Sequence, residues 1–152
     1  MMQKLISTCI KAQSLNRLAP LADLLLRVYL AKVFLLSGLS KIQDWPTTLF
    51  LFTEEYHVPL LSPTLAAIFG TAAELILPIT LLIGLFTRSS ALGLLLVNGM
   101  AVVAYFHVLK TIPSALQDHL EWGLMLLVLV AIPTRRWSLD CVLLRSQKSS
   151  IL

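Results

Sequence analysis

The chain has 152 residues, room for one domain rather than two. Hydrophobic residues make up 57% and charged residues 13%, with a mean hydropathy of +0.84. A soluble domain carries roughly 25% charged residues, so water is excluded as the solvent for most of this surface. The net charge of +4 comes without a basic patch interleaved with aromatics, which excludes nucleic acid as the partner and leaves the cations as topology signals.

Residues 1–20 alternate apolar and polar with a helical period: Leu5, Ile6, Cys9 and Ile10 against Lys4 and Lys11, closed by Pro20. This pattern predicts an amphipathic helix resting on the membrane surface. A first span is expected over about 21–40. The apolar run there is too long for the core of a cleavable signal, so it is expected to stay as a span. Residues 44–63 hold an apolar run, 49–52, too short to cross. Asp44 fits a helix cap and Pro46 a first turn, which predicts a short helix in the outer interface with Trp45 and Tyr56 as anchors. Further spans are expected over about 64–85, 89–106 and 115–133, the second and third of the four joined tightly as a hairpin. Trp137 reads as another anchor, and 134–152 as a cytoplasmic tail. The fold class is therefore all-α: an integral membrane four-helix bundle, 1–152, with an N-terminal amphipathic helix and a short outer interfacial helix.

With four spans, Lys4, Lys11, Arg17, Arg88, Arg135, Arg136, Arg145 and Lys148 fall on one side of the bilayer. Asp44, Glu54, Glu55, Asp118 and Glu121 fall on the other. The positive-inside rule then places both termini in the cytoplasm. Cys9 and Cys141 lie on that same side with no CxxC, so neither a disulfide nor thiol chemistry within the membrane is expected.

Asp23, Arg27 and Lys32 fall within the first span and Glu74 within the second. An ionised group at the bilayer centre costs about 2.5–3.5 kcal/mol and normally faces the bundle interior with a partner. Glu74 sits roughly 15 Å below the outer end of its span, near the midplane. Asp23, Arg27, Phe34, Gly38 and Lys41 share one stripe of the first helix, while Lys32 points roughly 140° away. Arg27 is therefore expected to be the principal partner of Glu74, with Lys32 second. Pro78 has no N–H and deprives the Glu74 carbonyl of its helical partner, which makes a polar spot at mid-membrane. Asn98, midway along the third span, is placed to join by hydrogen bond. Two roles fit these groups: an ion pair clamping the bundle, or a site that exchanges protons or holds a polar head group such as a quinone's.

His57, His107 and His119 map to the outer side. They are metal ligands in principle, but they come from three different connections and match no metal motif, so no metal centre is expected. Lys41, Glu54, Glu55, Asp118 and Glu121 join them in a charged rim suited to docking a partner. GxSxG, GxGxxG, HExxH and a phosphate-cradling glycine loop are all missing, which argues against a self-contained hydrolase or nucleotide enzyme. No CxxCH haem attachment site occurs either.

The segment LLRVYLAKVFLLSGLSKI at 25–42 resembles the first-helix signature of the DoxX family, with an arginine early in the span and Ser-Gly before a lysine. AAELILPITLLIGLFTRSSALGLLL at 72–96 is similar to that family's second hairpin, and RWSLD at 136–140 to the segment closing its fourth helix. The resemblance spans roughly 23–142. It implies a four-helix protein of the bacterial cytoplasmic membrane and makes Arg27, Gly38, Lys41 and Glu74 the family's polar positions. Lys32 stands where the family carries a small residue. Relatives are associated with oxidative-stress complexes, thiosulfate:quinone oxidoreduction and the production of modified copper-binding peptides.

The leading expectation is thus an accessory membrane subunit of a redox-linked or stress-related complex. It contacts quinone through Arg27, Lys32, Gly38, Lys41, Glu74 and Asn98, with Glu74 and Arg27 as the candidate catalytic pair. Two alternatives stand beside it: a non-enzymatic anchor or assembly factor for partner proteins, and a small homo-oligomeric exporter or channel.

Overall fold

Proline opens four of the five helices in the computed structural model, which describes residues 18–132 and 137–141. The first turn of a helix leaves its N–H groups unpaired in any case, so a residue that lacks one is favoured there. The helices are α1 (Ala19–Gln43), α2 (Trp45–Glu54), α3 (Pro63–Ile83), α4 (Thr87–Leu109) and α5 (Pro113–Ala131), and no strand occurs among the described residues. Pro20 thus begins α1 instead of ending a surface helix. The surface helix expected over 1–20 and most of the tail fall outside the described residues.

Local chemistry sets the other boundaries. Asp44 separates α1 from α2, and its Oδ1 accepts from the Thr47 N–H at 3.1 Å. The hydrogen bonds from Thr47 hold the Asp44 carboxyl below the usual carboxylate range. Ser62 accepts from the Leu65 N–H at 3.4 Å before α3. Gly84, at φ +74°, ends α3: its N–H donates to the Leu81 carbonyl and the Leu85 N–H to that of Thr80, the paired closure of a Schellman motif.

α4 has no proline at its start and no cap of its own. A residue some fifty positions away supplies one. Asp140 accepts from the Phe86 N–H at 2.8 Å, the Thr87 N–H at 2.9 Å and the Thr87 hydroxyl at 2.9 Å. A carboxylate at this end also meets the positive pole of the helix dipole.

The helices pack as two pairs, α1 with α3 and α4 with α5, joined through the α3–α4 hairpin. Their shared core comprises Leu30 and Phe34 of α1, Leu81 of α3, Ala91 and Leu94 of α4, and Leu126 and Leu129 of α5. The outward faces are apolar as well: Ile68, Ile76 and Ile79 of α3, Leu92, Leu96 and Val103 of α4, and Leu120, Leu124 and Leu127 of α5 are all exposed. Apolar surface on both sides of a helix is the pattern of a chain solvated by lipid. α3 and α4 are each long and apolar enough to cross a membrane.

The antiparallel register of α1 against α3 positions everything that follows. Arg27 lies beside Gly84, and Gly38 lies beside Glu74 and Leu75. α1 therefore ends about two turns short of the level where α3 starts. The first turns of α3 are covered instead by α2, whose Phe52 packs on Ala66 and Ala67.

Candidate functional site

Above the core, between the helix pairs, lies a cavity of about 480 Å³. Its walls are mainly apolar and include Phe52, Val58, Phe69, Ala73, Leu96, Val97, Met100 and Ala104. Phe69, Leu96 and Met100 line the cavity and are also exposed on the outward face, so the space opens sideways between α3 and α4, toward lipid. Gly70, Ala73 and Ala101 are small residues in the same wall.

The charged groups in the wall are Lys41 of α1 and Glu74 of α3. Lys41 Nζ donates to Glu74 Oε2 at 2.5 Å and to the Ser37 hydroxyl, one turn back on its own helix, at 2.9 Å. An ammonium has three protons and a carboxylate has two oxygens. One Lys41 proton and Glu74 Oε1 are thus left unspent beside each other, in the wall of an apolar cavity. The backbone here is also unusual. Pro78 removes the donor for the Glu74 carbonyl, and α1 approaches at that point through Gly38. A Cβ on Gly38 would lie 3.0 Å from Leu75 Cγ and 3.1 Å from the Glu74 carbonyl carbon. A larger residue would push α1 away and separate Lys41 from Glu74.

The outer wall is aromatic. Tyr56 packs edge-on between Phe52 and Tyr105, with ring centroids 4.9 and 4.8 Å apart. Burial, followed by the neighbouring Tyr105, Glu74 and Glu55, pushes the Tyr56 phenol above its ordinary pKa. The ring is half-buried and lines the cavity. Non-helical backbone at Tyr105 makes this possible, because it breaks α4 there and the Ala104 carbonyl accepts from the His57 N–H at 3.0 Å. His57 and His107 meet edge to face at 5.3 Å, and Glu55 lies 3.7 Å from His107 Nε2. Among the described residues no group of three or more His, Cys, Asp or Glu could hold a metal ion.

Asn98 and His119 form a second polar pair, linking α4 to α5. Asn98 Nδ2 donates to the His119 carbonyl at 2.8 Å, and Asn98 Oδ1 lies 2.9 Å from His119 Nδ1. His119 lines the same cavity as Lys41 and Glu74.

The expected pairing of Arg27 with Glu74 is corrected. Arg27 is fully buried at the opposite end of α1, where it donates to Asp23 Oδ2 at 3.1 Å, to the Leu82 carbonyl at 3.4 Å and to the Trp137 carbonyl at 2.6 Å. It fastens the 137–141 segment under the α3–α4 turn and does not line the cavity. Lys32, the second expected partner, is exposed and has no partner among the described residues. It lies five residues, about 7.5 Å along α1, from Arg27. Gly38 lies behind the ion pair as a spacer and does not contact the cavity.

Ser37 stands out in the sequence only as part of the Ser-Gly motif, and Tyr105 and the capping role of Asp140 do not stand out at all. Ser37 had a signal, since it stands one helical turn before Lys41. Tyr105 and Asp140 act through the break in α4 and a long-range contact, which no local pattern displays.

These features define a helical membrane protein with an internal lysine–glutamate pair beside a cavity open to lipid. The DoxX family model matches residues 22–108, more than half of the chain and all of α2, α3 and most of α1 and α4. The chain belongs to the DoxX family. No curated protein and no solved structure matches it.

Proposed function

We propose that the chain is a membrane subunit of a redox-linked complex whose cavity takes the head group of a quinone. In this reading all four long helices cross the bacterial cytoplasmic membrane, with both termini on the cytoplasmic side. The observation that carries it is the unspent proton of Lys41 beside the unspent oxygen of Glu74, in a cavity otherwise lined mainly by apolar and aromatic groups. Lys41 donates to a carbonyl oxygen, and Glu74 accepts from a hydroxyl. The opening past Phe69, Leu96 and Met100 leaves a path for an apolar tail into the bilayer. Small-molecule sites commonly pair apolar walls with a few converging polar groups in this way.

A decyl-tailed benzoquinone titrated against the protein in lipid nanodiscs tests the reading. Hydrogen bonds to charged groups contribute about 1.5–3 kcal/mol, so Lys41→Met and Glu74→Gln are each expected to weaken binding about tenfold or more. Wild-type affinity in both variants, with normal insertion, would show that the pair serves only to hold the helices together.

A further inference from the structure

The Asn98–His119 pair fixes a proton. A backbone carbonyl can only accept, so the atom of Asn98 that meets the His119 carbonyl must be its amide nitrogen. Asn98 Oδ1 is then the atom facing His119 Nδ1, and it too can only accept. His119 Nδ1 therefore carries the proton, and in the neutral ring Nε2 is a bare lone pair. Trp122 holds the ring from the side, with centroids 5.0 Å apart. Since Nδ1 is committed to Asn98, the edge His119 can offer the cavity is the one bearing Nε2.

Depth places this lone pair opposite the ion pair. Glu74 stands ten residues before Gly84 and Asn98 eleven after Thr87, so both lie roughly 15 Å above the turn joining α3 to α4. One polar pair belongs to α1 and α3, the other to α4 and α5, and the cavity lies between them.

Resting on the quinone reading above, we propose that His119 is the second polar contact and sets the redox preference of the site. A ring with oxygens at both ends would place one at Lys41 and Glu74 and the other at His119 Nε2. The first end tolerates either redox form, because Lys41 donates and Glu74 accepts. The second end only accepts. It bonds the hydroxyl of a quinol and leaves the carbonyl of a quinone facing a lone pair. The ligand class is therefore a 1,4-dihydroxy aromatic ring, bound more tightly reduced than oxidised.

The test is the ratio of affinities for decyl-tailed benzoquinol and benzoquinone in nanodiscs, measured anaerobically. Wild type is expected to favour the quinol about tenfold, the worth of one hydrogen bond against an unpaired contact. His119→Phe is expected to bring the ratio near one. Asn98→Leu frees the ring to place its proton on Nε2 and is expected to move preference toward the quinone. Equal affinities in wild type overturn the proposal without any variant. If the quinone binds through Lys41 and Glu74 but the ratio ignores position 119, only the role of His119 fails. If neither form binds, the quinone reading and this one fail together.

Discussion

Arg27 and Lys41 show how far a single side chain can be read. Both stand on the inward stripe of α1, and each is neutralised by a carboxylate, but they do different work. Arg27 is fully buried and donates to three oxygens, Asp23 Oδ2 and the carbonyls of Leu82 and Trp137. Removing one partner from a buried charged set costs about 3–5 kcal/mol. Arg27→Ala is therefore expected to lower stability by about that amount in a detergent unfolding titration, while the folded fraction binds quinone with wild-type affinity. Loss of affinity without loss of stability would return Arg27 to the site. Periodicity displayed the face that carries Arg27, Gly38 and Lys41, and that reading was sound as geometry. It misjudged level. Taking α1 to end near Ser40 at the outer surface put Lys41 outside the bundle, whereas α1 runs on to Gln43 and ends about two turns short of the level where α3 starts, with α2 covering the rest. Helical spacing specifies angle around an axis; height relative to a neighbour depends on packing that spacing does not encode.

Helix ends follow the same division between local and distant causes. Prolines, Ser62, Asp44 and Gly84 mark most boundaries within a few residues of the chain, so the elements were legible. The start of α4 was not, because its cap arrives from Asp140, some fifty residues away at the same end of the bundle. The one local sign was a negative one, a helix with neither proline nor cap of its own at its start. Loss of a cap costs about 0.5–2 kcal/mol. Asp140→Ala is expected to do so here and to raise hydrogen exchange at the Phe86 and Thr87 amides specifically. Asp140→Asn keeps an acceptor but loses the charge, so it should forfeit the dipole contribution of about 0.3–1 kcal/mol and retain part of the protection. Unchanged exchange at those amides in Asp140→Ala would mean that the tail segment rests on α4 without capping it.

For the molecule as a whole, the question is whether α1 and α5 cross the membrane as α3 and α4 are built to do. Length favours it: α1 has 25 residues and α5 has 19, against roughly 20 for a crossing. The charges of Arg27 and Lys41 in α1 no longer weigh against it, because each is paired with a carboxylate inside the bundle. In α5, Asp118 and Glu121 sit within the first nine residues of the helix, toward the end of the bundle away from the α3–α4 turn. Four crossings put Arg88 and the 137–141 segment on one side and α2 on the other, and the cation excess then points the former into the cytoplasm. Cysteine labelling in spheroplasts tests this with Cys9 replaced by serine. A membrane-impermeant maleimide is expected to label Glu54→Cys in intact spheroplasts and the native Cys141 only after permeabilisation. Labelling of both from outside would remove one crossing, and the reversed pattern would invert the protein. Either outcome would overturn the topology of four crossings with cytoplasmic termini.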